Sequence, residues 1–235
     1  MVKQLSLIEA KKLKQGIPTI IVPYRDNIEQ ERASQLKKFV SHMSRWHSDW
    51  PILIVEQSQD EKKFNRGALL NIGGRIAKSL GHEYVIFHDV DLIPLSPLVP
   101  YYTAFPELPI HIGSAWTTKW QGSSFLGGVI SISLSDLKKI NGFPNTFWGW
   151  GGEDDAMRNR MKSKSIEVYK LAITTGFKEL PHLDTRSKQE WKNMRKWEDL
   201  KEDNGSSGYK NVHWKVLETV DLTSNAKKIT VEITS

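Results

Sequence analysis

Cysteine is absent from the 235 residues. That excludes disulfides, thiolate metal sites and a cysteine nucleophile, and fits a reducing compartment. No run approaches the roughly 18–20 consecutive apolar residues needed to span a bilayer. The opening Met1-Val-Lys-Gln-Leu-Ser-Leu-Ile-Glu9 is too short and broken in its apolar part to read as a secretory leader. A soluble, cytoplasmic protein is expected. Neither the dinucleotide-binding nor the Walker-type glycine loop occurs, so phosphate recognition must come from elsewhere. There is no nucleophile elbow and no Ser/His/Asp set. His42, His47, His82, His88, His111 and His213 show no ligand spacing and read as structural or exposed. No internal repeat or clear domain boundary is visible.

What is present is an aromatic, basic chain. A hydrophobic share of 39% is enough for a core, and nine Trp exceed what a core alone requires. Flat rings of this kind also serve as stacking surfaces. The net charge of +6 points to an anionic partner: nucleic acid, a membrane surface or a phosphorylated substrate. The basic residues are scattered rather than gathered in one stripe, and no nucleic-acid-binding module is present, which argues against nucleic acid. Lys11, Lys12, Lys14 and the Lys188–Lys201 stretch are candidates for peripheral contact with anionic lipid. Their plainer reading is charge facing solvent.

Buried strands are expected at Thr19-Ile-Ile-Val-Pro23, Pro51-Ile-Leu-Ile-Val-Glu56 and Tyr84-Val-Ile-Phe87. Between them lie helical patterns, one over 28–46 (Ala33, Leu36, Phe39, Val40, Met43) and one through Leu69, Ile72, Ile76 and Leu80. This alternation predicts a parallel α/β sheet, whose ligands bind beyond the carboxyl ends of the strands. Tyr24-Arg25-Asp26-Asn27 and Asp89-Val90-Asp91 would both sit at that edge. Later elements are a strand over 127–133, a helix 136–140 capped by Ser135, a helix from Glu153 to about 162 and a strand over 166–171. An exposed charged helix is expected over 187–203, then two final strands, 212–222 and 228–233.

Two constellations carry chemistry. Phe143-Pro-Asn-Thr-Phe-Trp-Gly-Trp-Gly-Gly-Glu-Asp-Asp-Ala-Met-Arg-Asn-Arg160 sets Trp148 and Trp150 among three glycines, then places Glu153, Asp154 and Asp155 at a helix start. A mobile aromatic lid beside a candidate base suits an enzyme acting on a polyol. The plainer reading is a packed corner with acids complementing a helix dipole. In the second, Asp89 and Asp91 would share one face of a strand and offer hard oxygen ligands to Mg²⁺ or Mn²⁺. His182 is a candidate third ligand and Asp184 the alternative.

Five blocks occur in order: Ile20-Ile-Val-Pro-Tyr-Arg25, Phe64-Asn-Arg66 with Leu70-Asn-Ile-Gly73, Asp89-Val-Asp-Leu-Ile-Pro94, Gly127-Gly-Val129 and Phe147-Trp-Gly-Trp-Gly-Gly-Glu-Asp-Asp155. Together they resemble the β-1,4-galactosyltransferases of glycosyltransferase family 7, over about residues 18–235. The resemblance implies a GT-A fold, an α/β domain with a Rossmann-like mixed sheet flanked by helices. It implies a UDP-sugar donor, a glycan or glycoconjugate acceptor, Mn²⁺ and inverting transfer. Carried over by position, Asp91 and His182 would bind the metal, with Glu179 or Asp184 as the third protein ligand. Pro23, Tyr24, Arg25, Phe64, Arg66 and Asp89 would bind the donor nucleotide. Phe125 would lie near the donor sugar, and Trp150 would touch both substrates. Gly152, Glu153, Asp154 and Asp155 would bind the acceptor, with Asp154 as catalytic base. Residues 1–17 would form an arm, 18–110 the nucleotide-sugar half and 111–235 the acceptor half of a single domain.

Departures from the family pattern leave alternatives. Phe125 stands where Tyr is frequent, so UDP-N-acetylgalactosamine competes with UDP-galactose as donor. Glu179 replaces a softer or imidazole ligand. Gly152 follows members with N-acetylglucosamine acceptors, where xylose-directed members tend to carry Arg. Golgi members have an anchor and disulfides, so a bacterial or viral relative is expected, with a trimmed catalytic domain as the alternative. A binding protein that has lost catalysis is the competing class. The full set of acids argues against it.

Overall fold

The computed structural model describes residues 2–116 and 124–234. β1 (Val2–Leu5) and α1 (Leu7–Lys12) lead into β2 (Thr19–Tyr24), α2 (Arg32–Trp46), β3 (Ile52–Gln57), α3 (Arg66–Ser79) and β4 (Tyr84–His88). β2 lies between β3 and β4 and is parallel to both. These strands are apolar on both faces because helices cover both. Ile20, Val22, Ile52, Ile54 and Ile86 pack with Phe39, Val40 and Met43 of α2. Ile21, Leu53, Val55, Val85 and Phe87 pack with Leu69, Leu70 and Ile72 of α3. Gly73 makes the α3 contact close, since a Cβ there would overlap Ile21.

β5 (Leu92–Pro94), α4 (Val99–Thr103), β6 (Ile110–His111), β7 (Val129–Ser133), α5 (Leu134–Ile140), α6 (Glu153–Ser163), β8 (Val168–Leu171) and β9 (Phe177–Glu179) follow. The chain then passes through α7 (Lys196–Glu202) to the hairpin of β10 (Trp214–Asp221) and β11 (Ala226–Ile233). The main sheet has the order β1-β8-β6-β7-β4-β2-β3-β11-β10, and β5 pairs with β9 in a separate ribbon. The parallel sheet expected from the first ninety residues is thus one part of a mixed sheet. β7 runs antiparallel to β4 and β6, and β10 antiparallel to β11. The expected arm is partly woven into the sheet, with β1 pairing β8. Among the described residues no helix is long and apolar enough to cross a membrane.

Three expectations are corrected. Residues 187–203 are not one helix. Two short 3₁₀ turns, Thr185–Ser187 and Gln189–Trp191, precede α7, and the 192–195 link bonds to other segments instead of continuing a helix. The cap of α5 is Ser133, whose hydroxyl accepts from the Asp136 amide at 3.1 Å, so the helix starts two residues earlier than Ser135 would allow. Asp89 and Asp91 are not on a strand. They stand in the turn between β4 and β5, where the Leu92 amide donates to the Asp89 carbonyl.

This turn opens the crevice. β2 pairs with β4 as far as Ile21, which lies beside Phe87, so Pro23 and Tyr24 project past the end of β4 at His88. Pro23, which has no N–H, is tolerated in a central strand because no β4 partner remains beside it. The chain approaching Trp148 is fixed by buried asparagines. Asn65 caps α3 by accepting from the Ala68 amide and donates to the Asn145 carbonyl. Asn71 donates to the Phe143 carbonyl and the Asn145 side chain and accepts from the Phe143 amide. Loss of these three buried bonds in Asn71→Ala should lower unfolding free energy in urea by about 3 kcal/mol, at about 1 kcal/mol per bond. A change below about 1 kcal/mol would contradict the role given to Asn71.

Candidate active site

Arg66, the first residue of α3, extends into the crevice with its side chain only 14% exposed. Its Nε and Nη2 donate to Asp89 Oδ1 at 3.1 and 2.8 Å, and its Nη1 to Asp154 Oδ1 at 2.9 Å. Glu153 Oε1 lies 3.4 Å from the same Nη1. One guanidinium therefore gathers acids from the end of β4 and the start of α6. Burial opposes the Arg66 charge, but Asp89, Asp154 and Glu153 outweigh it and hold it protonated. Burial and the neighbouring Asp154 push Glu153 up to about 7. Burial also raises Asp154, against the pull of Arg66. Such elevated carboxyls suit proton transfer. Asp154 Oδ2 sits against the Gly127 backbone, where a Cβ would overlap it. Gly127 is therefore a clearance for the candidate base. The His111 Nε2–H donates to the Gly127 carbonyl at 2.9 Å, and the Gly128 carbonyl accepts from the Asp89 amide.

The second centre is Asp91, on the other arm of the same turn. Arg32 Nη1 donates to its Oδ2 at 3.1 Å, and His182 Nδ1 lies 3.4 Å from that oxygen. Burial and Asp89 raise the Asp91 carboxyl, against Arg32 and His182. His182 Nδ1 also faces the Leu180 carbonyl at 3.2 Å. Two acceptors around Nδ1 draw the ring proton there and leave Nε2 with its lone pair, the arrangement usual in a metal-binding histidine. Asp91 Oδ1 and His182 Nε2 have no protein partner among the described residues. Among the described residues, no set of three or more acidic or histidine side chains forms a self-sufficient cation site. The pair suits a hard or borderline divalent ion whose other ligands are water and substrate phosphate.

The alternatives for a third ligand separate in space. Glu179 Oε1 is 4.0 Å from His182 Nδ1, while its Oε2 accepts from the Trp116 indole N–H at 3.0 Å. Asp184 is exposed, held by Arg186 and pulled down to about 2 by that hydrogen bond. Arg25 turns to the 60–62 loop, bonding the Asp60 and Lys62 carbonyls, so it braces the wall of the crevice. Tyr24 is buried beside it and donates to Asp26. The Phe125 ring meets His111 edge-on at 5.7 Å and covers Gly127.

The glycine run turns through positive φ at Gly149, Gly151 and Gly152, conformations that cost other residues strain. It carries Trp150 outward at 49% exposure. The run is stitched to the 191–193 link: the Trp150 amide donates to the Trp191 carbonyl at 2.7 Å, and the Asn193 amide to the Trp150 carbonyl at 2.9 Å. Asp155 points away from Arg66, pairing with Arg158 at 3.1 Å and with Lys196 of α7 at 2.9 Å. Sequence reading missed Arg32, Asn193 and Lys196. None stands in a recognisable motif, and each reaches the site from a segment distant in the chain.

The chain is similar to known proteins in both of its halves. Residues 12–103 match the family described as N-terminal region of glycosyl transferase group 7, and residues 109–183 the one described as N-terminal domain of galactosyltransferase. Xylosylprotein 4-beta-galactosyltransferase of Caenorhabditis elegans is 38% identical over 65% of this chain and 53% of its own length. Human beta-1,4-galactosyltransferase 7 is 36% identical over 70% of this chain and 50% of its own. The chain thus spans about half the length of these relatives. They are from animals and lend no support to the expected bacterial or viral origin. The catalytic domain of Drosophila β-1,4-galactosyltransferase 7 in complex with xylobiose superposes with a TM-score of 0.77 at 26% identity, covering 92% of this chain and 94% of that one. A mutant of that enzyme, in complex with manganese, UDP-Gal and xylobiose, gives 0.78. Similar in both sequence halves and in its GT-A fold, the chain belongs to glycosyltransferase family 7, the family of the β-1,4-galactosyltransferases.

Proposed function

We propose that the chain is a metal-dependent inverting β-1,4-galactosyltransferase, moving galactose from UDP-galactose to a hydroxyl of an acceptor sugar. One observation carries the reading: Arg66 brings Asp89, two residues from the candidate metal ligand Asp91, onto the same guanidinium as the candidate base Asp154. Donor and acceptor chemistry then share one crevice. Asp91 and His182 would hold Mn²⁺, which supplies charge neutralisation for the departing diphosphate, and Glu179 is the nearer candidate for a further ligand. Pro23, Tyr24, Phe64, Arg66 and Asp89 surround the nucleotide, with Arg25 bracing the loop behind them. Phe125 lies against the donor sugar.

The acceptor rests on Trp150 and Gly152 and on the polar groups of Glu153 and Asp155. Its hydroxyl oxygen attacks the anomeric carbon from the face opposite the UDP, and Asp154 takes its proton. The bond from the anomeric carbon to the phosphate oxygen breaks, and its electron pair leaves on the diphosphate. A single in-line displacement needs only one base. Trp150 shields the reacting carbon from water. The relatives' names favour a β-xyloside acceptor, while Gly152 favours N-acetylglucosamine. At Gly152 a Cβ would press on the Phe147 ring and the Lys196 stem, both near 3.1–3.2 Å, which leaves no easy room for a larger residue. The cysteine-free sequence supports a reducing compartment, the cytoplasm in the first instance.

Protein supplied with UDP-galactose, Mn²⁺ and β-linked xylose, glucose and N-acetylglucosamine acceptors should release UDP with at least one of them, and EDTA should stop it. Silence with every acceptor and with UDP-N-acetylgalactosamine would remove the reading. Asp154→Asn should reduce kcat by about 10²–10⁴-fold and leave UDP affinity within a few-fold, measured by calorimetry. Equal loss of both would make Asp154 structural. The raised Glu153 and Asp154 carboxyls are protonated on the acid side, and a protonated Asp154 cannot accept a proton. Burial raises the Asp154 carboxyl above its ordinary range, so transfer should climb as pH rises from the acid side and then level off. Glu153→Gln removes a like charge and should move that limb to lower pH, whereas an unmoved limb in the pH–rate profile would show that the two carboxyls are not linked.

A further inference from the structure

Arg32, the first residue of α2, is held with unusual care for a counter-ion. Its Nε donates to Gln30 Oε1 at 3.1 Å, and its Nη1 is shared between Gln35 Oε1 at 2.8 Å and Asp91 Oδ2 at 3.1 Å. Both glutamines are buried and fixed in turn. Gln35 donates to the Gln30 and Pro181 carbonyls, and Gln30 donates to the Thr185 hydroxyl. The network ties α2 to the 180–185 segment that carries His182.

An arginine serving only to neutralise a carboxylate gains most from two parallel bonds to it. Arg32 instead meets Asp91 through one nitrogen, and Nη2 has no protein partner among the described residues. Its side chain is 19% exposed, so the cation is desolvated but not sealed off. The guanidinium thus stands beside the Asp91–His182 pair proposed for the ion, on the helix that follows the Pro23–Tyr24 wall proposed for the uridine. A ligand joining those two places is the diphosphate.

We propose that Arg32 is a diphosphate-binding residue, its Nη2 donating to an oxygen of the donor's diphosphate. The inference rests on the donor reading above. As the bond from the anomeric carbon to the phosphate oxygen breaks, the electron pair moves onto that diphosphate. A fixed donor stabilises the product charge without reorganising. Because Arg32 uses Asp91 Oδ2, Oδ1 stays open for a cation, and both positive charges would face the leaving group. Arginine fits this task through its planar fork, and lysine would reproduce the charge alone.

The test is calorimetry of wild type, Arg32→Ala and Arg32→Lys with uridine, with UDP plus Mn²⁺, and with Mn²⁺ alone, beside kcat. Uridine affinity should be unchanged in all three. UDP affinity should fall about tenfold or more in Arg32→Ala, the scale of one charge-assisted hydrogen bond, and less in Arg32→Lys. The kcat should fall in the same order. Unchanged UDP affinity, with or without tighter Mn²⁺ binding, would overturn the proposal and make Arg32 a placeholder for the ion. Equal weakening of uridine and UDP, or loss of Mn²⁺ binding alone, would overturn it by making Arg32 a structural prop. Wild type that binds no UDP at all would instead sink the donor reading.

Discussion

Three carboxylates on one guanidinium set the geometry of this protein. Asp89, Glu153 and Asp154 come from the end of a strand and the start of a helix far away in the chain, and all meet Arg66. Without that cation, like charges packed into a crevice would repel, and a buried unpaired charge costs several kcal/mol. Arg66 is placed by its own helix. Asn65 caps α3, and Gly73 lets α3 lie close on β2, so the reach of the guanidinium is fixed by the main core.

From this constraint the rest is arranged by one turn. Asp89-Val90-Asp91 ends β4 and sends its two acids to different partners, Asp89 to Arg66 and Asp91 to Arg32 and His182. Two charge centres are thereby kept a fixed, short distance apart. A nucleotide diphosphate and its cation suit one, and a base facing a sugar hydroxyl suits the other. Burial raises both carboxyls of the Glu153–Asp154 pair, the charge of Arg66 opposes it, and Glu153 is left at about 7.

The sequence made the strands, the two parallel crossovers and the acids legible, because buried β-branched runs and helical periodicity are local signals. It also carried the glycine–tryptophan run, whose residue types have few other uses. Three things escaped it. The 187–203 stretch reads as helix by its charge spacing, yet its middle is spent on bonds to the Trp150 run and to the crevice wall. The Asp-x-Asp spacing suits a strand face, yet a turn separates the two acids for a different reason. Arg32, Asn193 and Lys196 act through tertiary contacts with residues far away in the chain, and a charged or amide residue on an amphipathic segment carries no local mark of that. Arg25 shows the converse: it stands in a recognisable block, and its guanidinium is committed to backbone carbonyls.

Cation, sugar and base would meet in one crevice bounded by Arg66. A crystal soaked with MnCl₂ and UDP-galactose tests this directly through the anomalous signal of manganese. One manganese peak is expected within bonding distance of Asp91 and His182, with the anomeric carbon of galactose turned toward Asp154. A manganese peak away from Asp91, or a sugar whose anomeric carbon faces away from Asp154, would contradict it.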